Sequence, residues 1–174
     1  MLEEISKCRN CKLCNNQLPL IDKKKECDVM WVGLSAKKVN NLKTNYPLEE
    51  DTNSGKIIKE VEDLLPNVQF YKTNLVKCLP LDDNKKIRYP NKTEMEACIN
   101  NLVKEIEYLK PKIVFLLGNK VNNFVIGHLK QNNIIIKTYI KKIQHPSYIH
   151  TYKRKNKQDY INNLIIEIKN GVSK

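Results

Sequence analysis

Apolar positions along this chain follow two rhythms. Val29-Met-Trp-Val-Gly-Leu34, Phe70 to Val76 and Ile113 to Leu117 are short, nearly continuous apolar blocks that end at polar or turn-forming residues, as buried strands do. A fourth strand is predicted within Ile134 to Ile143. Between these blocks the spacing becomes helical. Ser54 to Leu65 places Ile57, Ile58, Val61, Leu64 and Leu65 on one face, and Asn91 with Glu94 three residues on makes a capping box for a long helix to Tyr108. A last helix is predicted from Gln158 to Ile168. Strand alternating with helix predicts an α/β fold, a three-layer α/β/α sandwich around a four-stranded parallel sheet. In such folds the loops at the carboxyl ends of the strands form the binding crevice. No repeat, heptad run or Pro/Gly/Ser linker interrupts the pattern, so residues 1–174 are expected to form a single domain.

Composition narrows the partners. The 174 residues are 41% hydrophobic and 29% charged, enough apolar material for a core. The 31 Lys and Arg against 19 Asp and Glu give a net charge of +12, which favours a polyanion such as nucleic acid. Richness in Lys, Asn and Ile is also what an AT-rich genome produces, so the charge permits that partner without assigning it. The amino terminus reads Met-Leu-Glu-Glu, unlike the basic start of a signal peptide. No apolar run approaches the ~18 residues of a membrane span. A cytoplasmic monomer without a membrane partner is expected.

The 6 cysteines need an explanation other than disulfides in a reducing compartment. Cys8-Arg-Asn-Cys11 has the gap that lets both thiolates reach one inorganic centre, and Cys14 repeats that gap. Cys78 follows the second strand and Cys98 lies near the start of the long helix. Together they would tie the amino terminus to a distant loop, through zinc or a 4Fe-4S cluster, since four thiolates satisfy either. Cys14 reads as an extra near that centre and Cys27, before a buried strand, as a core thiol.

These residues resemble the iron-sulfur uracil-DNA glycosylases, families 4 and 5 of that superfamily, along nearly the whole chain. The resemblance rests, in order, on Cys8-Arg-Asn-Cys11-Lys-Leu13, the strand Val29 to Gly33 running into Leu34-Ser35-Ala36, Ser54-Gly55 opening a helix, Lys72-Thr-Asn-Leu-Val-Lys-Cys78, Cys98 in a helix, Pro111 to Gly118, and His145-Pro-Ser-Tyr-Ile149. It implies a 4Fe-4S cluster held by Cys8, Cys11, Cys78 and Cys98 as a structural fixture. It also implies cleavage of the bond between a base and its deoxyribose after the nucleotide has been flipped out of DNA. His145 is then the donor aimed at charge on the departing base, and Asn74 the amide that reads its edge. Ser147 joins the substrate-binding set.

Two loops depart from the family. Where family 4 has Gly-Glu-Ala-Pro-Gly this chain has Gly33-Leu34-Ser35-Ala36-Lys37, with neither the acid nor the proline; Leu34 is closer to the Gly-Leu-Ala-Pro-Ala of family 5. Ser35 is the candidate to position a water. The family's Pro-Phe is replaced by Tyr46-Pro47-Leu48, so Tyr46 is the candidate stacking ring, and Asp51 the candidate replacement carboxylate. Ile149 stands where superfamily members carry an apolar wedge that fills the gap left by a flipped nucleotide. From Lys141 to Lys157 there are six Lys or Arg and no acid, which marks Lys153, Arg154, Lys155 and Lys157 as a phosphate-facing surface. The expected substrate is uracil or a deaminated or modified base. The rival reading is a catalytically silent iron-sulfur protein of the same fold that binds DNA or senses lesions. A weaker third is a zinc-bearing nucleic-acid module with no pocket.

Overall fold

The structure, a computed structural model, describes residues 1–173. Its centre is a parallel sheet of four strands, β1 (Val29–Ser35), β2 (Phe70–Val76), β3 (Ile113–Leu117) and β4 (Tyr139–Ile143), in the spatial order β2-β1-β3-β4. Val29 is paired with both Phe70 and Ile113, and Ile113 with Tyr139. Short helix α1 (Leu2–Ser6) and a single 3-10 turn (Lys12–Asn15) precede the sheet. The crossovers are α2 (Asn53–Asp63), α3 (Lys92–Leu109) and α4 (Asn119–Gln131), and α5 (Pro146–Tyr152) and α6 (Lys157–Val172) follow β4.

Strand alternation sorts the core into two layers. Met30, Val32, Tyr71, Val114 and Leu116 face α3 and α4, whereas Val29, Trp31, Phe70, Ile113 and Phe115 face α2, α5 and α6. Trp31 is fully buried, stacked 4.9 Å from Phe115 between ring centroids. The edge strand β4 is short, half-exposed and carries Lys141 and Lys142, features that discourage pairing with another chain.

The predicted sandwich is present. The capping box at Asn91 and Glu94 starts α3, and α3 ends at Lys110 in a left-handed conformation (φ 47°) just before Pro111. Differences lie at the edges. Helix α2 stops at Asp63, so Leu64, expected on its apolar face, is 58% exposed. The hydrophobic pattern does not predict α4, whose buried positions are only Val121, Val125 and Leu129 in an Asn-rich stretch, or α5, a seven-residue helix. No helix among the described residues is long and apolar enough to cross a membrane.

Candidate active site

The strand order reverses between β1 and β3, because the chain builds outward from β1 to β2 and then returns to add β3 on the other side. Crossovers leave the sheet in opposite directions there and open a crevice at the carboxyl ends of the strands. A cavity of 770 Å³ occupies it, with Gly33, Leu34 and Ser35 of β1, Asn74 of β2, Gly118 after β3 and His145 and Ser147 after β4 among its lining. That volume suits a nucleoside-sized ligand.

His145 caps α5, and Pro146 holds the first helical position where its missing N–H is not needed. Its Nδ1 accepts the Ser147 backbone N–H at 3.3 Å and lies 2.8 Å from Ser147 Oγ. A backbone amide can only donate, so Nδ1 carries no proton and the neutral ring has its hydrogen on Nε2. Burial lowers the His145 pKa below 6.5, which favours this neutral form. Gly118 makes room for it. With φ at 91° and a Cβ that would lie 3.3 Å from His145 Cβ, position 118 suits glycine alone.

Asn74 sits opposite. It pairs with Gly33, where any Cβ would stand 2.3 Å from Asn74 Oδ1, so the glycine is what lets the amide lie across β1. Beneath it is a buried polar network. Lys77 Nζ donates to the Asn74 carbonyl and to Thr73 Oγ1, both at 2.9 Å, and pairs with Glu105 at 2.6 Å. Glu105 also accepts from Tyr71 Oη at 3.0 Å and Thr73 Oγ1 at 2.9 Å. Lys77 and Glu105 are both fully buried. Sequence reasoning missed this pair, although a carboxylate between Leu102 and Ile106 on the buried stripe of α3 is a readable sign that a partner must be near.

The first two loops differ from expectation. Leu34 and Ser35 line the cavity, but Asp51 and Tyr46 do not. Asp51 is 66% exposed and is held by Lys37, which also pairs with Glu49 at 2.7 Å. Burial works against the Lys37 charge, but the two carboxylates outweigh it and hold its pKa above the ordinary value. Tyr46 lies beside the Lys72 ammonium, 5.3 Å from its ring centroid. The apolar cover falls instead to Pro47 and Leu48, and Leu48 is forced to φ 55° to bring its Cδ2 over Gly33. No carboxylate lines the cavity among the described residues.

The segment after His145 also needs correction. Ile149, expected as an exposed wedge, is 2% exposed and packs in the core between β4, α2 and α6. The seven-residue α5 turns it inward, a helical placement that an extended loop does not suggest. Lys153, Arg154 and Lys155 are exposed, but Lys157 is paired with Glu60, and Lys141 with Glu167, so the basic run is partly neutralised by acids from α2 and α6. Other residues that reasoning from sequence missed at this mouth are Tyr89, Lys120 and Tyr152.

Cys8, Cys11, Cys14, Cys78 and Cys98 lie near one another, Cys78 and Cys98 within the core layer that faces α3. Burial raises the pKa of Cys78, and the Cys98, Cys11, Cys14 and Cys8 sulfurs add to it. Cys98 is raised by burial too, while the Lys77 charge pulls it back. Asn101 Nδ2 donates to Cys8 Sγ and the Lys77 N–H to Cys98 Sγ, each at 3.4 Å. Cys27 stands apart near Asp22 and Asp28, and burial chiefly pushes its thiol up to about 12. No three His, Cys, Asp or Glu side chains are grouped to hold a single metal ion among the described residues.

Comparison with known proteins agrees with this architecture. The family model of the uracil DNA glycosylase superfamily matches residues 17–169. A type-4 uracil-DNA glycosylase of Sulfurisphaera tokodaii is 29% identical over 159 residues, covering 88% of this chain and 67% of that protein. A type-4 uracil-DNA glycosylase of Archaeoglobus fulgidus is 26% identical over 132 residues, covering 73% of this chain and 62% of that one. The chain thus spans about two thirds of the length of these relatives. The crystal structure of wild-type Pedobacter heparinus SMUG2 superposes with a TM-score of 0.57 at 18% identity, over 83% of this chain and 75% of that one, so the fold is shared. With the family model running from just beyond the 3-10 turn into the last turn of α6, this chain belongs to the uracil DNA glycosylase superfamily.

Proposed function

We propose that the chain is a DNA glycosylase that hydrolyses the N-glycosidic bond of uracil flipped from DNA into the cavity between Asn74 and His145. The observation that carries this reading is the meeting of those two residues in one crevice, with His145 in the tautomer that presents a donor. The names of the type-4 relatives support uracil as the base.

Asn74 reads the edge of the base: its Nδ2 donates to a uracil carbonyl and its Oδ1 accepts the ring N–H. As the bond to C1′ breaks, negative charge grows on the base oxygens. The Nε2–H of His145 donates to that charge without a proton changing owner, and the amino end of α4, opening on the same cavity, favours it electrostatically. Ser35 holds the attacking water. With no carboxylate among the described residues at the cavity wall, the water meets an already cation-like sugar and the rate rests on the leaving group. Ser147 keeps His145 in register through its two contacts. Lys153, Arg154 and Lys155 meet the phosphates, with Lys157 a weaker contributor because of Glu60.

Cys8, Cys11, Cys78 and Cys98 fit a 4Fe-4S cluster. What supports that reading is the mutual proximity of these sulfurs and the N–H donors to Cys8 and Cys98, which are of the kind that stabilise ligating thiolates. Bound there, the cluster would act as a cross-link between the amino-terminal segment, the end of β2 and α3. Cys14 is the fifth sulfur of the group. We take residues 1–174 to act as one domain, a cytoplasmic monomer working on DNA.

The test is incubation of the protein with single-stranded and duplex oligonucleotides carrying one uracil, followed by alkali. Strand scission at the uracil and release of free base are expected. Scission at no position, with DNA still bound, would overturn the reading in favour of a silent DNA-binding protein.

A further inference from the structure

The mouth of the cavity is aromatic and basic in a way that neither the chemistry of base release nor the packing of the core requires. Tyr89 and Tyr152 both line it, yet they are 72% and 74% exposed. Each belongs to a small assembly. The Lys120 ammonium stands 4.0 Å from the Tyr89 ring centroid. On the α5 side, the rings of Tyr148 and Tyr152 are 5.2 Å apart, with Lys153 5.8 Å from the Tyr148 centroid. The Tyr89 backbone is fixed as well. Arg88 donates to its carbonyl at 2.9 Å and to both Glu94 carboxylate oxygens, so the ring is presented by a braced loop at the start of α3.

Ile149, the aliphatic residue expected to plug a duplex, does not reach this surface, because it is turned into the core. Exposed aromatic faces beside cations are what binds a strand whose bases are already unstacked: each ring takes a base by stacking, and the neighbouring ammonium takes a phosphate. Among the described residues, no acidic side chain lines the cavity to oppose the phosphates.

We propose that Tyr89 and Tyr152 are stacking platforms for the bases on either side of the flipped nucleotide, and that the site takes single-stranded DNA in preference to duplex. Lys120 and Lys153 hold the flanking phosphates. The proposal rests on the glycosylase reading for the position of the flipped nucleotide, but it is testable without any cleavage.

The probe is a short fluorescein-labelled oligothymidylate free of uracil, alone and annealed to its complement, titrated with the full chain and followed by anisotropy. The single strand is expected to bind several-fold more tightly than the duplex. Tyr89→Ala and Tyr152→Ala should each weaken single-strand binding by roughly five-fold to a hundredfold, with duplex binding changed much less, and Tyr152→Phe should restore it because stacking needs the ring and not the hydroxyl. Both side chains are exposed, and thermal unfolding of each variant verifies that the fold is retained. Equal affinity for single strand and duplex, or alanine variants that bind as the unaltered chain does, would overturn the proposal. Uracil release with unaffected tyrosine variants removes this proposal alone; tight, tyrosine-dependent binding without uracil release removes the glycosylase reading alone.

Discussion

The two halves of the cavity are built to different standards. At the ends of the two outer strands, β2 and β4, Asn74 and His145 are held by specific contacts: a buried lysine that bonds the Asn74 carbonyl and pairs with a fully buried glutamate, and a part-buried serine that fixes the imidazole tautomer. At β1 and the loop before α2, Ser35 ends its strand while the loop's carboxylates, Glu49 and Asp51, are both drawn to Lys37. Under the proposed function, the first half would grip and discharge the base, and the second would admit water without a base to activate it. The contrast teaches that a dissociative reaction can concentrate its machinery on the leaving group, where charge develops, and leave the nucleophile to solvent.

Several measurements would break or sharpen this contrast. The largest effect is expected beneath Asn74. Lys77→Met leaves Glu105 buried without its cation and should lower unfolding free energy by about 3–5 kcal/mol in a urea titration, whereas Ser35→Ala should change it by about 0.5 kcal/mol or less, as a half-buried polar position does. Equal effects would show that the two halves are alike. Next, Asn74→Asp replaces the amide donor by a second acceptor. Uracil release should fall by roughly tenfold to a hundredfold, with a relative gain for a cytosine-like edge, whose exocyclic amine donates.

The pH profile of single-turnover cleavage follows from His145. Its folded pKa is lowered from 6.5 by burial, so the neutral ring persists as pH falls past 6.5, and the acid limb of activity should lie below that value. The same shift contributes stability that is fully present above the unfolded value and lost as pH falls from 6.5 through the folded pKa. An acid limb above 6.5 would mean that another group titrates. The smallest effects belong to the water side: Ser35→Ala should slow cleavage by about tenfold or less, short of what loss of a true general base produces. Asp51→Asn should leave cleavage within about twofold, because an exposed ion pair contributes little. A loss of several hundredfold at Asp51 would restore it as the missing acid.

The strands and the long capped helix were legible because their apolar runs and the Asn91 and Glu94 cap are local signals. Helices α4 and α5 were not, since Val121, Val125 and Leu129 are too sparse a stripe and α5 has only seven residues. Leu34, Ser35, Asn74, His145 and Ser147, candidates from motif and order, all line one cavity. Tyr46, Asp51 and Ile149 were misplaced because their directions depend on tertiary partners: Lys72, Lys37 and the core around α6. Lys77 and Glu105 are 28 residues apart, so no local pattern joins them. Leu48 was missed for a different reason: its φ of 55° is a conformation that leucine rarely adopts and sequence does not announce.

The central claim is that a neutral His145 discharges the departing base. It is tested most directly by single-turnover release of uracil from saturating single-stranded DNA at neutral pH, comparing the unaltered chain with His145→Ala. The account predicts release that is slower by roughly a hundredfold or more in the variant, with DNA affinity nearly intact. Release at the unaltered rate would contradict it.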